Sequence, residues 1–176
     1  MIRLARLSDI PQVSAIYDKL HEKEARGEGV TGWIRGVYPT EATAREAFSR
    51  QELFVLEREG EILAAAKLNQ EQVPEYALCA WSVDAPEKEI MVLHTLVVDP
   101  GAAGQGLGRA FVAFYEDYAR NCGCRYLRMD TNEKNLPARR LYAKLGYREA
   151  GIVPCNFNGI PGVRLVCLEK TMGEHE

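Results

Sequence analysis

Apolar and polar positions alternate over Ile2-Arg3-Leu4-Ala5-Arg6-Leu7, which predicts a short strand. Ile10, Val13, Tyr17 and Leu20 then recur at helical spacing. Ser8 stands where an N-cap belongs, with Asp9 and Pro11 in the first turn. This helix should fade through His21–Gly29, where Gly27 and Gly29 stop it. A second helix is predicted after Thr40, presenting Ala44, Ala47 and Phe48. Leu53–Leu56 and Ile62–Leu68 read as two strands of a hairpin turning at Glu57–Glu61. Residues 71–88 hold two prolines and many acids; an extra strand around Tyr76–Trp81 is expected there. Ile90–Val98 is the next strand, stopped by Asp99-Pro100-Gly101, and Leu107, Phe111, Phe114 and Tyr118 mark the helix that follows. Arg125–Asp130 alternates as a strand, Asn135 caps a helix carrying Leu141 and Leu145, and Gly146 ends it. Two last strands, 147–153 and 163–168, are joined by a turn-rich link from Pro154 to Gly162, and the tail Gly173–Glu176 should fray.

The alternation of strands and helices predicts an α/β fold, and 176 residues suffice for one domain, 1–176, with a proper core. A net charge of −3 argues against a general nucleic-acid partner, which would show a basic bias. No apolar run approaches 20 residues, so no membrane span is expected, and the first residues lack the apolar core of a signal peptide. Five irregularly spaced cysteines fit a reducing, cytoplasmic setting. Cys122-Gly-Cys124 is too close for the usual zinc pair, so no metal is expected.

The stretch His94–Arg109, HTLVVDPGAAGQGLGR, concentrates the chemistry. Gly104, Gly106 and Gly108 sit at a helix start, where several backbone N–H groups lack partners and the helix end carries partial positive charge. That arrangement suits a phosphate; a plain tight turn would also want glycine. A P-loop would need Gly-Lys-Ser/Thr, which Gly108-Arg109-Ala110 lacks. A dinucleotide fingerprint would need Gly-x-Gly-x-x-Gly, and Arg109 stands at its last glycine. Asp130 lies at about the right distance for a ribose ligand, but nearly 100 residues precede the loop.

The run Val98–Gly108, V-x-P-x-x-x-G-x-G-x-G, resembles the coenzyme A loop of the GNAT (Gcn5-related N-acetyltransferase) superfamily. Asn135-Leu-Pro-Ala138-Arg-Arg-Leu141-Tyr142-Ala-Lys144-Leu-Gly146-Tyr147 resembles its other hallmark, N-x-x-A-x-x-L-Y-x-K-x-G-F/Y, and the two occur in the family's order. One departure is Ala103, where the family usually has Gln or Arg. The resemblance implies a mixed, twisted sheet of six to seven strands flanked by four helices, with acetyl-CoA held in a splay between two strands. Leu96, Val97, Val98, Ala103, Gly104, Gln105, Gly106, Leu107, Gly108 and Arg109, then Asn135, Ala138, Tyr142 and Lys144, would contact it. Pairing of two copies is also common in such proteins.

The same resemblance assigns Tyr142 as the acid that protonates the leaving thiolate, a step suited to a phenol of pKa near 10. A base is expected on the strand before the loop: His94, which shares a face with Leu96 and Val98 if that strand is regular, or Glu89 at its start. Trp33 and Tyr38, in a glycine-rich stretch between the first two helices, would wall the acceptor site or anchor the loop to the core. The expected reaction is direct acetyl transfer to a primary amine of a small metabolite. A protein N-terminus or lysine is an alternative acceptor. Two other classes stay open: a non-catalytic acyl-CoA sensor, and a dinucleotide-dependent reductase.

Overall fold

A computed structural model describes residues 1–173; the expected fraying of Glu174–Glu176 lies outside the described residues. Seven strands form one sheet: β1 (Ile2–Leu4), β2 (Leu53–Arg58), β3 (Glu61–Asn69), β4 (Ile90–Val98), β5 (Tyr126–Asn132), β6 (Arg148–Phe157) and β7 (Ile160–Thr171). Their order is β1-β2-β3-β4-β5-β7-β6, and every pair is antiparallel except β4 with β5. Four helices flank it: α1 (Ile10–Ala25), α2 (Glu41–Ser49), α3 (Leu107–Asn121) and α4 (Leu136–Lys144).

α1 and α2 cover one face, burying Ile10, Val13, Ile16 and Ala44 against Val55, Ala65 and Val97. α3 and α4 cover the other, where Phe111, Tyr115 and Tyr142 meet Leu68, Leu93 and Met129. The stripe of α3 is rotated from the predicted one. Phe114 and Tyr118 are only partly buried, and Val112 and Tyr115 take the inward positions. A third cluster, Tyr76 with Ile90, Val92, Val153 and Leu165, lies under residues 70–86.

Three local expectations are corrected. Ser8 is not the cap of α1: it sits in a 3-10 turn, Leu7–Asp9, and the Asp9 carboxylate accepts the Arg6 N–H at 2.7 Å. Residues around Tyr76 form no strand. Pro74 opens a 3-10 turn (Pro74–Leu78), and the Trp81 indole N–H returns to the Tyr76 carbonyl at 2.7 Å, closing the segment on itself. The link Pro154–Gly162 is mostly strand. β6 and β7 run on to a two-residue turn at Asn158-Gly159, whose positive φ angles (48° and 88°) suit the twist of a tight hairpin.

The sheet opens in its middle. β4 and β5 pair only from Ile90↔Tyr126 to Leu93↔Met129 and then diverge. At the point of divergence β4 carries a bulge opposite Ala65–Lys67, with Thr95 at φ 53°. The bulge resets the alternation: Met91 and Leu93 face the α3 side, yet so do Leu96 and Val98. His94 therefore lies on the opposite face from Leu96 and Val98, because the strand is not regular.

Candidate active site

Two cavities meet at this opening. The first, about 330 Å³, is a cleft through the gap between β4 and β5. It is lined by Leu96, Val98 and Gly108 on one side and by Asn135, Ala138 and Tyr142 on the other. The second, about 270 Å³, lies on the α1/α2 face and includes Tyr17, Tyr38, Lys67 and His94. Among the described residues, only Thr95, Asp130 and Phe157 border both.

The loop before α3 is built to present amides. Gly104 and Gly106 have φ 78° and 74°, a left-handed backbone that costs any other L-residue about 1–2 kcal/mol. Among the described residues, no protein group accepts a hydrogen bond from the N–H groups of Gly104 to Arg109. Gly108 has a different reason to be glycine. A Cβ there would stand 3.4 Å from Leu141 Cδ2, in the crossing of α3 and α4 beside the cleft. Ala103, Gln105 and Arg109 are exposed, Gln105 accepting from Arg58 at 2.7 Å. Leu107 is buried in the core, and Val97 turns to the α1 face instead of the cleft.

Asn135 caps α4, its side-chain oxygen accepting the Ala138 N–H at 3.2 Å, and Pro at the second helical position suits that start. Tyr142 lies two turns on, on the face that lines the cleft. Burial, with the negative charge of Asp130, holds its phenol well above the usual 10, so the proton stays on oxygen at neutral pH. Lys144, at the far end of α4, is exposed and does not border the cleft.

His94 sits in the second cavity. The amide of Asn69 is oriented by two partners: its oxygen accepts the Glu71 N–H at 3.1 Å and its nitrogen donates to Glu52 at 3.0 Å. The His94 Nε2 therefore donates to that same oxygen at 2.7 Å, leaving Nδ1 as the ring nitrogen able to accept a proton. Burial and the nearby Lys67 charge push the imidazole down to about 4, although the Glu71 backbone opposes this. Glu89 is not brought to the site. It precedes the other end of β4, about 17 Å from His94 at the usual strand rise, and borders neither cavity.

Trp33 lines the cleft and Tyr38 the second cavity, and both also pack. Their rings meet edge to face at 5.9 Å, and Tyr38 meets Phe157 at 5.5 Å. The Tyr38 hydroxyl bonds Thr95 Oγ1 at the bulge, and burial raises its phenol to about 12. Glu24 clamps the loop between α1 and α2, accepting the N–H groups of Thr31 (2.7 Å) and Gly32 (3.1 Å). A Cβ at Gly29 would fall 2.2 Å from the Glu24 carboxyl carbon, so a larger residue there would have to displace this clamp. Sequence reading missed Tyr17, Lys67 and Thr95 as site residues. None stands in a motif, whereas Asn158-Gly159 does signal the hairpin that delivers Phe157.

Comparison with known proteins gives a consistent picture. The family model described as the acetyltransferase (GNAT) family matches residues 15–147. The uncharacterized N-acetyltransferase YhfO of Bacillus subtilis is 26% identical over 148 residues, covering 84% of this chain and 89% of that protein. The uncharacterized N-acetyltransferase MJ1207 of Methanocaldococcus jannaschii is 29% identical over 75 residues, 43% of this chain, and the match spans only 33% of that protein. A GNAT-family acetyltransferase structure from Streptococcus agalactiae superposes with TM-score 0.82 at 21% identity, covering 99% of this chain and 96% of the other. A putative acetyltransferase from Salmonella typhimurium, solved with its cofactor acetyl-CoA, gives TM-score 0.71 at 19% identity, covering 100% and 95%.

Proposed function

The chain belongs to the GNAT family of acetyltransferases, and we propose that it moves an acetyl group from acetyl-CoA directly to the primary amine of a small metabolite. Acetyl-CoA is the acyl donor of this family, and the site fits it on two counts. The free N–H groups from Gly104 to Arg109 match a pyrophosphate at a helix start, and the cleft bordered by Gly108, Ala138 and Tyr142 leads from them into the sheet. When bound, acetyl-CoA supplies an acetyl thioester already activated toward an amine. Gly104, Gln105, Gly106, Gly108 and Arg109 would hold its phosphates. Leu96, Val98, Asn135 and Ala138 would line its path.

Tyr142 is proposed as the acid, donating its phenolic proton to the departing sulfur. His94 would accept a hydrogen bond from the incoming amine through Nδ1. Its depressed basicity suits it to orient an N–H better than to keep a proton. Trp33 and Tyr38 would wall the acceptor. The observation that carries the reading is that cleft and cavity share Thr95, Asp130 and Phe157 as wall residues, so the proposed donor and acceptor sides adjoin. A small acceptor is favoured because α1, α2, the Tyr38 loop and the β6–β7 turn all close around the 270 Å³ cavity. A cytoplasmic setting and pairing of two copies belong to the same proposal; no helix among the described residues is long and apolar enough to cross a membrane.

The test is acetyl-CoA turnover, followed as free-thiol release, against amines, amino acids, polyamines and N-terminal peptides. Release with one small-amine class is expected. Release only with peptides would overturn the small-metabolite reading. Tight coenzyme binding without release from any of them would favour the sensor.

A further inference from the structure

Asp130 lies on β5 one residue past Met129, the last residue paired with β4, and is one of three residues bordering both cavities. Its Oδ2 accepts the Tyr76 hydroxyl at 2.7 Å. Tyr76 is fully buried and packed edge to face against Trp81 at 5.2 Å, so this bond is rigidly held. The fully buried acids of the chain have cations: Asp9 has Arg3, Asp99 has Lys19 and Glu169 has Arg148. Asp130 has none among the described residues. The titratable groups facing it are Tyr76 and Glu75 from the Pro74–Leu78 turn, Tyr38 from the loop, Tyr142 from α4, and the thiols of Cys79, Cys155 and Cys167. The cavity's own basic side chains are engaged elsewhere, Lys67 with Glu52 at 3.6 Å and His94 with Asn69.

A carboxylate withdrawn from water is ordinarily paired or strongly hydrogen-bonded. Asp130 is only half-buried, yet it has a single neutral donor and borders both the cleft and the second cavity. We propose that Asp130 receives the ammonium group of the acceptor and takes its first proton. The proposal rests on the acetyl-transfer reading and deepens it. In this step one N–H bond of the ammonium breaks and one O–H bond forms on Asp130. The electron pair left on nitrogen becomes the nucleophile, and Asp130 later yields the proton to water. The acceptor class that follows is a compact alkylammonium compound. Burial, partly offset by the Tyr76 bond, raises this carboxyl to about 6, so it is ionised at neutral pH yet a better proton acceptor than His94.

The first test needs no turnover. Protein labelled with carbon-13 at its aspartate carboxyls is saturated with coenzyme A, and the Asp130 resonance is identified by its loss in Asp130→Asn. Adding propylammonium chloride should move that resonance, and adding 1-propanol should not. No movement with propylammonium, or equal movement with both, would overturn the proposal whatever the thiol-release assay shows. With an amine that turns over, Asp130→Asn should lower kcat/KM by about 100-fold or more while the KM for acetyl-CoA stays within about twofold. Wild-type kcat/KM in this variant would overturn the role and leave the acetyltransferase reading standing. Tyr76→Phe keeps Asp130 but removes its donor. Its carboxyl midpoint, read by carbon-13, should rise above that of the wild type, and the acid limb of kcat/KM should move up with it. A limb that stays put while the midpoint moves would also overturn the proposal.

Discussion

Asp9 shows how one side chain serves as cap and tether at once. It accepts the Arg6 N–H and two bonds from Arg3, at 2.7 and 3.2 Å, fixing β1 to the start of α1. The Arg3 guanidinium holds its carboxyl below the ordinary carboxylate range. Asp9→Ala should therefore cost about 2 kcal/mol at pH 7, read by urea unfolding. Because the folded-state value is depressed, this contribution is complete above the ordinary 3.8 and fades as pH falls through the lower folded value. The gap between wild type and variant should narrow as pH falls below the ordinary carboxylate range. Tyr142→Phe is the sharper functional prediction: turnover falls by about 100-fold or more, while acetyl-CoA affinity by calorimetry is nearly kept. Unchanged turnover would remove Tyr142 as the acid. At this scale the glycines and the Asn135 cap were legible because each answers a local backbone need. Asp130 drew attention only as a ribose ligand. Its lack of a cation depends on what distant elements bring near it, and no spacing along the chain records that.

Elements were legible where one face is buried and the rhythm is unbroken. β2, β3, β5 and α2 follow their patterns closely. β4 does not, because Thr95 adopts a left-handed backbone within an apolar run, and nothing in HTLVV announces a bulge. A β-branched residue is among the least expected there, and its hydroxyl bond to Tyr38 ties the kink to the loop. At the start of α3 the left-handed positions do announce themselves as glycine. Gly106→Ala should cost about 1 kcal/mol in thermal unfolding and weaken acetyl-CoA binding, since relief of the strain turns the free amides away. Gly108→Val should do the reverse in proportion. Its larger side chain meets Leu141 and the cleft, so binding should suffer more than stability, as coenzyme titration and melting together would show. Loss of stability without loss of binding would argue that the cleft is not the coenzyme path.

For the whole molecule, donor binding should report as stabilisation. A ligand at about 100 times its Kd contributes about 2.7 kcal/mol, which at this chain length raises Tm by roughly 5–10 °C. Acetyl-CoA should give that shift and a nicotinamide dinucleotide none; the opposite result would restore the reductase. The central gap was legible only through the two loop-and-helix motifs, and the strand order not at all, since strand pairing is settled by packing between distant segments. That gap also changes where the molecule is open to strand addition. Its outer edges are blunt: β1 has three residues, and β6 carries Pro154, which has no N–H to offer a neighbour. The vacant backbone of β4 beyond Leu93 faces inward, into a cleft too narrow for a folded partner. A template that on an exterior edge would invite aggregation is thus reserved for a slender guest, and the fold filters its own partners by their thickness.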